Sequence, residues 1–261
     1  MNLQKINGLL SSFAGISLAE MTEVRLMNRI DTKYIATESQ LEMLLPMLQA
    51  DYRAQETDSM RACPYRTVYF DTPDRSMYLM HHNRRCVRQK IRAREYVGSG
   101  LSFVEIKTKN NHGRTQKKRI SIGSIDRCTS DPSVLAFVNR NSGFAAEGLT
   151  PHVENCFRRI TLVNNGKTER LTIDINLCFV NASNGQRASL DNIVIIELKQ
   201  DGHAQSASKR EMNRLGIRKA GFSKYCIGAA LTDSSLKCNL FKKKIRRITK
   251  MQLACHATLN Q

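Results

Sequence analysis

Residues 87–96, VRQKIRAREY, restrict this chain more than any other stretch. Read as a strand, successive side chains alternate between two faces. Arg88, Lys90, Arg92 and Arg94 then share one face, while Val87, Ile91 and Ala93 take the other with Gln89 and Glu95. The four cations stand about 6.6 Å apart, twice the per-residue rise of a strand. The apolar face can pack on a core. The other face holds like charges side by side, and a polyanion turns their repulsion into attraction. Lys and Arg are 41 of the 261 residues. Scored as a template, four alternate cations then arise by chance roughly 0.15 times in such a chain. One such strand could be a solvated outer face, so the reading depends on whether other strands repeat the pattern.

Several do. Residues 23–35 (EVRLMNRIDTKYI) place Arg25, Arg29, Asp31 and Lys33 opposite Leu26, Ile30 and Tyr34. Residues 103–109 (FVEIKTK) place Glu105, Lys107 and Lys109 opposite Val104 and Ile106. An Asn-Asn-His-Gly turn leads into residues 114–122, where Lys117, Lys118 and Arg119 are consecutive and two of the three must share a face. Residues 155–163 (NCFRRITLV) and 169–177 (ERLTIDINL) flank an Asn-Gly hairpin signal. In the second of these, Arg170, Thr172, Asp174 and Asn176 face away from four aliphatic residues. Residues 193–199 (IVIIELK) put Glu197 and Lys199 on one face. Two further strands are expected at 53–57 and 65–70.

Helices are expected at 2–14, at 37–50 behind a Thr37 cap, and at 74–83, 131–141, 206–215 and 223–231. Pro46 should bend or shorten the second. His81 and His82 are adjacent, so on a helix they point about 100° apart and are not expected to share a metal. One domain is expected over 1–233, with its core at 23–231, followed by a loosely specified basic tail at 234–261. Within that tail, residues 240–251 (LFKKKIRRITKM) carry a fragmentary apolar stripe.

The net charge of +18 calls for an anionic partner: nucleic acid, acidic membrane or a phosphate-rich substrate. The cationic strands lack interleaved exposed aromatics, the usual stacking platform, which counts against nucleic acid. Eight cysteines include no CxxC pair, and no leader is evident, so reduced thiols and a cytoplasmic setting are expected. No apolar run approaches the ~18 residues of a membrane span. The basic tail could lie on an acidic membrane surface, or form a solvated or tunnel-closing helix.

At least six strands with a charged face opposite an apolar one point to an α+β fold: an antiparallel β tunnel with helices packed outside. Turned inward, the charged faces make a cationic lumen that is costly when empty. Glu105 and Glu197 stand among those cations. Each is either a ligand for a hard divalent cation or an ion-pair partner for the lysine two positions on.

A resemblance enters here. RxDTKY at 29–34, YFDT at 69–72, RxR at 92–94, FVEIKTK, RRITL, RLTIDINL, IIELK and FSKYCIG at 222–228 occur in order across about residues 23–231. Together they resemble the VTC domain, the polyphosphate polymerase domain of the vacuolar transporter chaperone complex and its bacterial relatives. That domain belongs to the triphosphate tunnel metalloenzymes, or CYTH-type proteins.

The resemblance implies an eight-stranded tunnel, Mn2+ or Mg2+, and phosphoryl transfer from ATP to inorganic polyphosphate. Arg92, Arg94, Lys107 and Arg170 are the implied catalytic cations. Lys33, with Lys118 or Arg119 and with Arg158 or Arg159, is implied to contact phosphates. Arg29, Lys90 and Lys109 are added as candidates. Glu197 matches the metal-binding glutamate, Lys199 lies beside it, and Lys224 matches a lysine near the tunnel mouth. The ExExK signature of many tunnel triphosphatases is absent, and Arg29-x-Asp31-x-Lys33 stands in its place. The SPX domain and membrane helices of eukaryotic relatives are not seen, so translocation would need a membrane-protein partner. With water as acceptor the same site would be a triphosphatase, for which Asp174 or Glu105 could serve as base. Without turnover it would be a polyphosphate-binding module.

Overall fold

The computed structural model describes residues 2–21, 29–202 and 205–259. Eight strands form one antiparallel path. In order across the sheet they are β2 (Arg29–Thr37), β11 (Ile193–Asp201), β9 (Glu169–Asn181), β8 (Thr150–Asn164), β4 (Ala62–Asp71), β5 (Arg88–Tyr96), β6 (Leu101–Lys109) and β7 (Thr115–Ile122). Three short strands extend it: β1 (Ala14–Ile16) pairs with β3 (Tyr52–Gln55), β3 with β8, and β10 (Arg187–Ser189) with β9. β1 and β10 are too short to show an alternation of their own, so periodicity could not reveal them.

The alternation decides which way the sheet curls. Ala93, Val104, Ile106, Ile173 and Ile196 are buried on the outer face, under helices. Three helices cover one half: α1 (Leu3–Ser11), α3 (Glu38–Leu48) and α6 (Ala207–Arg214). α3 starts on a capping box. Thr37 Oγ1 accepts from the Gln40 amide at 3.2 Å, and Gln40 Oε1 accepts from the Thr37 amide at 2.9 Å. It then buries Leu41, Leu44, Leu45 and Leu48 completely, each worth about 1.5–3 kcal/mol over exposure. Pro46 sits inside its last turn, and the helix ends two residues later. α4 (Ser76–His82) and α5 (Pro132–Asn141) cover the other half through Met77, Val134 and Val138. A four-residue helix α2 (Leu18–Met21) completes the N-terminal part.

One end of the tube is narrowed by α7 (Lys224–Thr232), backed by α8 (Asn239–Leu259). The segment after 233, expected to be loosely specified, is this 21-residue helix, and it buries Phe241 and Ile248 against α7 and Tyr78. The YFDT motif explains how this end is held. Asp71 accepts from the Met77 and Tyr78 amides at 2.9 Å, satisfying the first turn of α4. The same carboxylate accepts from the Tyr225 hydroxyl of α7, which also meets His152 Nδ1 at 2.8 Å.

Gly228 lets α7 lie close to the sheet. A Cβ there would stand 2.5 Å from Phe179 Cδ1 and 3.0 Å from Val153 Cγ1. Gly228→Ala should therefore destabilise the protein by about 1–3 kcal/mol through overpacking, although alanine is the better helix former. Chemical denaturation checks this, and an unchanged or raised midpoint would refute it.

Candidate functional site

All eight strands of the path send side chains into one cavity of about 630 Å³. The sheet wraps far enough for Lys33 of β2 and Lys117 of β7, from the two ends of the strand order, to line it together. Among the described residues, twelve Lys and Arg side chains line it against four carboxylates. β5 supplies Arg88, Lys90, Arg92 and Arg94; β6 supplies Lys107 and Lys109. Arg159, Arg170 and Lys199 come from β8, β9 and β11, and Lys224 opens α7.

Three carboxylates organise these cations, each clamped between two of them. Glu105, 2% exposed, takes Arg92 Nε at 2.7 Å and Lys117 Nζ at 3.0 Å. Asp174, 3% exposed, takes both nitrogens of the Arg159 fork at 2.6 and 2.9 Å, and Lys224 on its second oxygen. Glu197 takes Lys33 on one oxygen and Lys199 on the other at 2.9 Å. Burial pushes all three carboxyls up, but the neighbouring cations outweigh it and hold them well below the usual range.

The remaining charge is not balanced, and the lysines show it. Lys107 is pushed down to about 6, first by Arg92 and then by burial. Lys224 is pushed down to about 7 by burial, with Arg159 adding to the effect and Asp174 opposing it. Burial also lowers Lys90 and Lys199. Arg94 falls to about 10 through burial and the neighbouring cations Arg92 and Arg159.

Aromatic rings hold some of these heads in place. Tyr65 and Phe157 stack at 5.2 Å. The guanidinium carbons of Arg94 and Arg159 lie 5.3–5.6 Å from those two rings, within cation–π range. Lys224 Nζ lies 4.3 Å from the Phe157 ring. Arg94 also donates to Thr67 at 3.0 Å, and Lys90 donates to Ser223, the N-cap of α7, at 3.0 Å.

Not every candidate reaches the cavity. Lys118 turns outward and donates to Asn141 of α5 at 2.9 Å. Its neighbours Lys117 and Arg119 share the inner face, because they lie opposite Lys107 and Glu105 in the ladder. Arg119 settles over Phe103 at 4.5 Å and does not line the cavity. Arg158 donates to the Ala62 carbonyl at 3.1 Å and also lies off the cavity wall, while Arg159 points in. The bulge near Cys156 and Arg158 puts its extra residue on β9, where three steps from Cys178 to Ile175 match two on β8. Alternation along β8 therefore holds, with Arg159 and Thr161 at the cavity and Ile160 and Leu162 in the outer core. Arg29 begins β2, but its side chain lies outside the described residues, as does Arg25. Lys117, Tyr65, Phe157 and Ser223 were not among the candidates. Only Lys117 carried a signal, its two-residue spacing from Arg119.

A model of the VTC domain matches residues 28–232. The chain belongs to the VTC domain family. α8 lies beyond the matched span. No curated protein sequence matches this VTC domain chain. Among solved structures, an adenylate cyclase candidate from Bacillus halodurans aligns with a TM-score of 0.50 at 13% identity, over 76% of this chain and 96% of its own. An adenylate cyclase candidate from Vibrio parahaemolyticus gives 0.44 at 12% identity, over 78% and 99%. An adenylyl cyclase candidate from Hippeastrum, described as having a dominant triphosphatase activity, gives 0.44 at 14% identity, over 81% and 98%. The VTC domain here thus has the triphosphate tunnel fold.

The donor set bears on a metal. Among the described residues no three His, Cys, Asp or Glu side chains converge, so an all-protein cage is not built. Glu197, with Asp31 on the adjacent strand facing the same cavity, suits the other mode, in which one or two carboxylates share Mg2+ or Mn2+ with substrate phosphates. No helix among the described residues is long and apolar enough to cross a membrane.

Proposed function

We propose that this tunnel binds the triphosphate of ATP and passes the γ-phosphoryl group to the end of an inorganic polyphosphate chain, releasing ADP. The observation that carries this is the convergence of Lys and Arg from seven strands and α7 on one cavity. Arg92, Arg94, Lys107 and Arg170 would neutralise non-bridging oxygens, and Lys33 and Lys199 would turn from Glu197 to phosphate. Positioning and charge stabilisation are most of what such a transfer needs from a protein. Mg2+ or Mn2+, held by Glu197 and substrate oxygens, would add neutralising charge between phosphates.

The acceptor is already an anionic oxygen, so no general base is required. Asp174 and Glu105, the bases a hydrolase would use here, are each held by two cations and are poor proton acceptors at neutral pH. That favours a phosphate acceptor over water. Purified protein given ATP and Mn2+ should make long-chain phosphate. Orthophosphate alone would refute transfer and assign hydrolysis.

The lysines give a pH signature. In the empty tunnel Lys107 and Lys224 lose their protons near pH 6 and 7. A bound polyanion stabilises both ammonium forms and raises both pKa values. Binding therefore takes up protons at pH 8, and affinity is greatest below about pH 6 and falls as pH rises. Calorimetry of tripolyphosphate binding at pH 8, in buffers of different ionisation enthalpy, should show uptake of roughly one to two protons. Zero uptake, or release, would contradict it.

A further inference from the structure

A second cavity of about 490 Å³ adjoins the first and shares His81, Arg88 and Lys109 with it. Its remaining charged lining residues are Arg84, after α4, and Lys244, on α8. Among the described residues no Asp or Glu lines it, whereas six of the twelve tunnel cations are clamped by carboxylates. The rest of the wall is Cys86, the turn residues Asn110, Asn111 and Gly113, and the apolar Leu240 and Phe241 of α8.

The cations here converge. His81 is pushed down to about 3, by burial first and then by Lys90, Arg88, Lys244 and Lys109. Its buried Nδ1 has no hydrogen-bond partner among the described residues. Lys244 does not extend into solvent as its neighbours Lys242 and Lys243 do. It is half-buried, and its Nζ would stand 3.8 Å from a Cβ placed on Gly221, three residues before Lys224. α8 is anchored by Phe241 and Ile248, so this lysine is held at the cavity rather than swept past it.

We infer that Arg84, Arg88, Lys109 and Lys244 form a second phosphate subsite beside the α7 end of the tunnel, which takes the next stretch of a polyphosphate chain too long for the tunnel. Polyanion focusing in a concave, uniformly positive site supplies the attraction. The inference rests on the tunnel reading above, and it makes α8, outside the family match, a determinant of chain-length preference. The two readings fail differently: the tunnel alone governs tripolyphosphate, and the subsite governs only longer chains.

The test compares tripolyphosphate and long-chain polyphosphate binding to the full chain, for wild type, Arg84→Gln/Lys244→Gln and a control, Lys243→Gln/Lys250→Gln. The control removes the same charge from exposed positions of α8 that do not line the cavity. Loss of two phosphate contacts should weaken long-chain binding roughly tenfold, with tripolyphosphate affinity changed less than twofold. Lys244→Glu should deepen the loss, and circular dichroism of each variant should match wild type. Equal weakening by the control pair, or equal loss for both ligands, would overturn the subsite. So would unchanged long-chain binding alongside lost binding to phosphatidylglycerol vesicles, which would make the patch a membrane contact.

Discussion

Glu197→Gln should lower polymer synthesis by about a hundredfold or more, the scale seen when a charge-stabilising group is removed from a site, while long-chain polyphosphate binds at least as tightly as to wild type. The opposite signs come from one carboxylate. Glu197 occupies Lys33 and Lys199 in the empty tunnel. Replacing it with an amide frees both ammonium groups for phosphate and removes the oxygen proposed to share a metal with substrate. Single-turnover synthesis and calorimetric binding separate the two effects. Turnover near the wild-type rate would remove Glu197 from the mechanism. If wild type itself makes no polymer but binds tightly, the chain is a binding module.

Asp174→Asn should cost the empty protein about 3–5 kcal/mol, because it leaves the buried Arg159 guanidinium without its counter-charge and drives Lys224 to give up its proton. Asp174 is almost fully buried, and Arg159 and Lys224 both depend on it. For a chain of this size that is a fall in Tm of about 10 °C. Saturating tripolyphosphate should restore most of it, since the ligand supplies negative charge to the same two heads. A variant as stable as wild type, or one that the ligand does not rescue, would show that Asp174 is not the counter-charge. The same carboxylate sets an acid limit. Its pKa is depressed on folding, so its contribution is present above the unfolded value and is lost as pH falls below about 4.

The inner and outer faces of most strands could be read from the residues alone, because a two-residue period is a local property. Arg92, Arg94, Lys107, Arg170 and Lys199 all reach the cavity that alternation implied. Arg158 and Arg159 are separated by alternation itself, because Arg159 shares a face with Thr161, opposite the face of Ile160 and Leu162. Lys118 and Arg119, in contrast, are separated only by the pairing of β7 with β6. The clamp partners were equally hidden, since Lys33–Glu197 and Lys224–Asp174 join residues 164 and 50 positions apart. α8 looked loosely specified because its apolar stripe is short, and the surfaces it buries against, on α4, α7, β2 and β11, are distant in the sequence.

Lys117 and Lys118 offer the most direct test of an inward-facing cationic lumen. They are adjacent, alike in charge, and differ only in face: one meets Glu105 in the cavity, the other Asn141 on α5. Tripolyphosphate affinity measured for Lys117→Gln and Lys118→Gln should fall about five- to tenfold for the first, the scale of one charge-assisted phosphate contact, and stay within twofold of wild type for the second. Equal affinities for the two variants, or a larger loss at Lys118, would contradict it.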